Sequence, residues 1–122
     1  MTKVSSANSK SIKENKKQFQ ELGIIRCEIS GKDFALSFAH KEKRIEYRNC
    51  PEKLYDINEV ILITIPLHNW IEHRRELTLE LFKCLRPVKD YQDRLNARNK
   101  AKQLIVKSLE KENKIYLLDK LL

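Results

Sequence analysis

The amino-acid sequence predicts an α+β, mostly helical fold: a short β-hairpin leading into a helix, flanked by N- and C-terminal helices. Three observations predict it. Apolar residues make up 41% of the chain and charged residues 34%, the balance of a charge-rich helical protein. Val60-Ile61-Leu62-Ile63-Thr64-Ile65 is β-branched and apolar on both faces, as a buried strand requires. From Leu77 onward, apolar residues recur at helical spacing. At 122 residues the chain is the size of one domain.

Each element has its own signal. Met1 to Ser11 is polar and reads as a disordered tail (residues 1–11). Ser11 suits the cap of a helix through Leu22, with Ile12, Phe19 and Leu22 on one side and Gly23 as the stop. Ile24 to Ile29 and Phe34 to Phe38 read as two strands, joined by the hairpin turn Ser30-Gly31-Lys32-Asp33. Residues 41–57 are irregular, and Pro51 forbids a helix interior nearby.

After the Val60–Ile65 run, Pro66 suits the first turn of a helix carrying His68, Trp70 and Ile71. Leu77, Leu81, Phe82 and Leu85 mark another helix, closed by Pro87. A longer amphipathic helix runs from Asp90 to Glu112, with Tyr91, Leu95, Leu104, Ile105 and Leu109 on its apolar side. Asn113 ends it before the apolar tail Ile115-Tyr116-Leu117-Leu118. The chain thus divides into the tail, a central domain (12–87) and a basic C-terminal helical extension (88–122).

Cys27, Cys50 and Cys84 are odd in number and contain no Cys-x-x-Cys pair, so they define neither a disulfide framework nor a self-sufficient zinc site. No apolar run approaches bilayer length, and the lysine-bearing N-terminus has no apolar signal core. A cytoplasmic protein without membrane contact is the expectation. Net charge is +8, and the excess lies at the ends. Between Arg94 and Lys107 there are five cations (Arg94, Arg98, Lys100, Lys102, Lys107) and no acid. A stripe of this kind neutralises phosphates and releases counterions.

The candidate chemistry lies in the middle. His40 leaves the second predicted strand, Asn58 follows after a loop, and His68 lies in the helix behind the Val60–Ile65 run. A strand-exit histidine, a loop asparagine and a helix histidine form the layout of the HNH, or ββα-metal, endonuclease superfamily, which this chain resembles over residues 27–73. The small phage-type members are the nearest look-alikes. The matching segments are Cys27-Glu28-Ile29-Ser30-Gly31, Leu36-Ser37-Phe38-Ala39-His40, Asn58-Glu59-Val60-Ile61-Leu62 and Leu67-His68, with Trp70-Ile71-Glu72 fitting the following helix.

The resemblance implies a DNA phosphodiester hydrolase. In that scheme His40 is the general base, because an imidazole titrates near neutral pH. Asn58 orients the His40 loop and ring, and His68 ligates one divalent ion (Mg, Mn or Zn) that polarises the phosphate. His73 would lie about 140° around a helix from His68. Two departures stand out. Ala39 occupies a position where relatives often carry a further ligand, and Asp33 and Asp56 are possible substitutes. The structural zinc knuckle would need four thiolates at Cys27, Ser30, Thr64 and Leu67, of which only Cys27 exists, so no structural zinc is expected and apolar packing by Ile65, Leu67, Trp70 and Phe38 would replace it.

Secondary DNA-binding candidates are Arg44 and Arg48 beyond His40, and Arg74 and Arg75 beyond the metal helix, besides the Arg94–Lys107 cations. Two other readings follow from the same residues. One is a catalytically inactive HNH-like module that binds nucleic acid through the basic helix. The other is an interaction domain that meets a protein partner through its C-terminal helix and tail.

Overall fold

The computed structural model describes residues 3–88 and 90–122, with side chains from Lys10 onward except those of Arg44 and Tyr91. Helix α1 (Lys3–Glu21) is followed by a tight turn, strand β1 (Leu36–His40), three short 3-10 turns (Arg44–Tyr47, Pro51–Tyr55, Ile57–Glu59) and strand β2 (Val60–Thr64). Helices α2 (Ile65–Ile71), α3 (Arg75–Leu85) and α4 (Tyr91–Lys111) come next. A 3-10 turn (Ile115–Leu117) and the one-turn helix α5 (Leu118–Leu121) end the chain. The fold is therefore α+β and mostly helical, with a two-stranded antiparallel hairpin.

Helix α1 begins at Lys3 rather than at Ser11, so the segment read as a disordered tail is helical wherever it is described. Its end follows the sequence. Gly23 has φ +75°, its N–H reaches the Gln20 carbonyl at 3.0 Å, and the Ile24 N–H reaches the Phe19 carbonyl at 2.8 Å. That is a Schellman stop, with Phe19 and Ile24 supplying its apolar contact. Asn113 (φ +57°) ends α4 in the same way, through Asn113 N–H to Glu110 and Lys114 N–H to Leu109.

The hairpin is built from different strands than the periodicity suggested. Ile24 to Ile29 forms no strand. Instead, the chain folds back on itself through Gly31 N–H to the Cys27 carbonyl at 3.0 Å and Cys27 N–H to Lys32 at 2.8 Å. Strand β1 pairs antiparallel with β2, His40 opposite Val60 and Leu36 opposite Thr64, across the connection 41–59. The apolar residues of 24–29 are divided between two cores. Ile24 joins Phe19, Val60 and Leu62 on the α1 side, whereas Cys27 and Ile29 join the larger cluster on the other side.

The ribbon is sandwiched between these cores. Leu62 and Phe38 face α1, and Phe38 meets Phe19 edge-on at 5.1 Å. Ala39, Ile61 and Ile63 face Leu67, Ile71, Leu81, Phe82, Ile105 and Leu109 of α2, α3 and α4. Helix α4 is thus integral to the main core. It turns Ala97, Ala101, Ile105 and Leu109 inward, one residue per turn, with Leu104 only half-buried. The tail packs on the same core through Leu117, Leu118, Leu121 and Leu122, leaving Ile115 and Tyr116 exposed.

Candidate functional site

Strand β1, the 41–59 connection, β2 and α2 form a β–β–α unit that carries all three candidate residues. His40 ends β1, and its Nε2 lies 2.7 Å from the Leu54 carbonyl. A carbonyl only accepts, so Nε2 carries the proton and any base chemistry falls to Nδ1. Leu54 also accepts from Asn15 Nδ2 of α1 at 3.0 Å. The ring of Tyr47 stands edge-on to His40 at 5.7 Å. Tyr47 is buried, and its hydroxyl accepts from the Glu42 N–H at 2.9 Å and donates to Glu59 Oε2 at 3.3 Å. Burial first, and then the Glu59 and Glu42 carboxylates, push the phenol far above its ordinary value.

Asn58 does not hold the His40 ring; Leu54 does. Asn58 is exposed, and its backbone N–H is capped by Asp56 Oδ1 at 2.9 Å. That Asx cap places Asn58 in the short turn leading into β2.

His68 lies in α2, half-buried, with Nδ1 2.9 Å from Ser37 Oγ. Ser37 Oγ also reaches the Ile63 carbonyl at 3.4 Å. Both contacts are satisfied when the hydroxyl donates to Ile63 and His68 Nδ1–H donates to the hydroxyl, which leaves Nε2 as the lone-pair nitrogen.

Parity along the strand separates the two imidazoles. Side chains alternate faces, and His40 is three residues from Ser37. His40 therefore lies on the α1 face of the ribbon with Phe38, while His68 binds to the opposite face. On the His68 face, position 39 offers only the buried methyl of Ala39. Among the described residues no three His, Cys, Asp or Glu side chains gather where they could share a metal ion. His73 is exposed beyond α2, and Asp33 pairs with Arg26. Among the described residues, His40 and His68 thus stand on opposite faces of the ribbon, with no group of carboxylates or thiolates beside either.

The Cys27 turn is held by backbone donors and apolar packing. The Ser30 N–H donates to Cys27 Sγ at 3.2 Å, Gly31 has φ +79°, and buried Leu67 shares Cys27's core cluster. Trp70 packs half-buried on that cluster, Phe38 belongs to the α1 core, and Ile65 is exposed.

The basic candidates divide into three groups. Arg74 stacks on Trp70 at 4.3 Å and forks onto Glu112, whose carboxyl its guanidinium holds below the usual range. Arg75 forks onto Glu42, which holds the guanidinium above its ordinary value. Both cations are therefore occupied by carboxylates, while Arg48 is exposed and the Arg44 side chain lies outside the described residues. The Arg94–Lys107 run is not one stripe, because a helix turns about 100° per residue. Arg94 and Arg98 point inward toward the 22–28 segment, bonding the Leu22 and Glu28 carbonyls. Lys100 and Lys107 are exposed on the outer face within about 20° of each other, and Lys102 is half-buried on the other flank.

Sequence reasoning missed the exposed lysines of α1. Ser11, Asn15 and Phe19 form its buried side, so Lys13, Lys16 and Lys17 are exposed. Apolar spacing gave no signal for this, because Ser11 and Asn15 are polar, while Ile12 and Leu22, read as part of the apolar side, are exposed.

No family profile, curated protein or solved structure matches this chain.

Proposed function

We propose that this chain is a nucleic-acid-binding module on a β–β–α scaffold, gripping the DNA backbone without cutting it. The observation that carries this reading is where the unpaired cations lie. Among the described residues, Lys13, Lys16, Lys17, Lys100 and Lys107 are exposed and stand outside ion-pair distance of any carboxylate. Arg74 and Arg75, which follow α2, are paired. Cations of this kind bind phosphates by releasing counterions, which gives affinity without base readout.

A hydrolytic reading has its own support in the order of elements and in the two rings, each held by a defined hydrogen bond at one nitrogen. One experiment separates the two. Duplex DNA binding is measured by fluorescence anisotropy, alongside plasmid incubation with Mg²⁺ or Mn²⁺, for the wild-type chain and His40→Ala. The binding reading expects intact plasmid and equal affinities. Cleavage that disappears in His40→Ala would replace it with hydrolysis, and absence of DNA binding at low salt would defeat both.

A further inference from the structure

A cavity of about 280 Å³ opens between the 23–28 segment, the end of α3 and the first turns of α4. Three guanidinium side chains line it, Arg26, Arg94 and Arg98, against apolar walls from Ile24, Leu85 and Leu95. We propose that it is a binding site for a phosphate monoester. This inference stands apart from the DNA-binding reading, which rests on exposed lysines.

Charge selects the ligand. Glu28 lines the cavity, but Arg86 neutralises it through contacts at 2.7 and 3.1 Å. Asp33 offsets Arg26 at 3.7 Å on the exposed rim. Arg94 and Arg98 bond the Leu22 and Glu28 carbonyls and stand in no ion pair among the described residues, so the cavity presents two cations without a carboxylate partner, one helical turn apart on one side of α4. A phosphate monoester carries about −1.5 to −2 at neutral pH and three acceptor oxygens; a simple carboxylate carries a single charge. Guanidinium forks suit such an oxyanion.

One further detail fits an acceptor-bearing guest. The Arg98 guanidinium passes so close to Gly31 that a β-carbon there would stand 3.2 Å from Nη1, and Gly31 at φ +79° supplies that space. The apolar walls then take the organic part of the ester, and the volume suits a small guest.

The test titrates the full chain calorimetrically with inorganic phosphate, a nucleoside 5′-monophosphate and the same nucleoside without phosphate, and maps amide shifts by NMR. The expected result is monophosphate affinity at least about tenfold above that of the nucleoside, with shifts confined to residues 23–31 and 94–98. Arg98→Gln and Arg94→Gln should each weaken it about tenfold. Arg26→Gln leaves the exposed Asp33 carboxylate uncompensated on the rim without threatening the fold, so it should weaken anion binding too. Lys100→Gln should not.

Equal affinity for nucleoside and monophosphate, shifts spread over α1, or indifference to Arg26→Gln and Arg98→Gln would overturn the site. Competition with 5′-phosphorylated and 5′-hydroxyl oligonucleotides identifies the source. Displacement by the phosphorylated strand alone points to a strand end, and displacement by neither points to a free small molecule. Duplex affinity unchanged in Arg98→Gln would leave the lysine-based reading standing independently of this cavity.

Discussion

Glu28 and Arg86 tie three parts of the chain together. The two Arg86 Nη atoms hold the two Glu28 oxygens, and Glu28 Oε2 also accepts from the Leu62 N–H at 2.7 Å. Arg86 donates further to the Ile57, Val60 and Leu85 carbonyls, so the Cys27 turn, the start of β2 and the end of α3 meet at one buried pair. Removing one partner strands a buried charge. Arg86→Met and Glu28→Gln should each cost about 3–5 kcal/mol in urea unfolding, and the double mutant clearly less than their sum. Additive losses would show that the pair is not coupled. Neither residue was legible in the sequence, because nothing local joins a glutamate beside Cys27 to an arginine 58 positions later. Tyr47 gives a second expectation. Its phenol is raised above the ordinary 10.0, so the native state keeps a proton that the unfolded chain loses. Stability is full below pH 10.0 and declines as pH rises toward the raised value. Alkaline unfolding followed by circular dichroism should begin later in Tyr47→Phe, once its own loss at neutral pH is subtracted.

Helix ends were the most readable elements, since Gly23 and Asn113 announce left-handed stops by residue type. The buried strand β2 and the proline-led start of α2 were legible for similar reasons. The partner of β1 was not. Apolar residues at 24–29 looked like a strand, but a run that serves two cores one residue at a time mimics one. Ala35 marks the point where the chain leaves that turn. It sits at φ +52°, unusual for a residue with a β-carbon, while its carbonyl holds the Ile65 N–H at 2.7 Å. Ala35→Gly should therefore stabilise the fold by about 1 kcal/mol in thermal or urea unfolding. A destabilised variant would show that the backbone there is not strained. On α4 the amphipathic pattern was visible, but its inward centre was not: small Ala97 and Ala101 pack against the core while Leu104 remains at the edge.

For the whole molecule, apolar runs and turn residues made the order strand, loop, strand, helix around His40, Asn58 and His68 legible, although they paired the 34–38 strand with 24–29 rather than with β2. Whether the rings converge depends on strand parity, which no spacing reveals without the register. The charge pattern was legible in amount but not in direction, because rotation about α4 separates Arg94 and Arg98 from Lys100 and Lys107. Nor is any described helix long and apolar enough to cross a membrane. If the exposed lysines carry DNA binding, Lys100→Gln with Lys107→Gln should lower the slope of log affinity against log salt by about 2. An unchanged slope would place the contacts elsewhere. Leu54 sets one more constraint on the whole. Its single carbonyl oxygen receives both Asn15 and His40, which fills its two lone pairs. The N-terminal helix and the imidazole therefore share one latch, and a ring flip that carried Nε2 away from Leu54 would halve that latch.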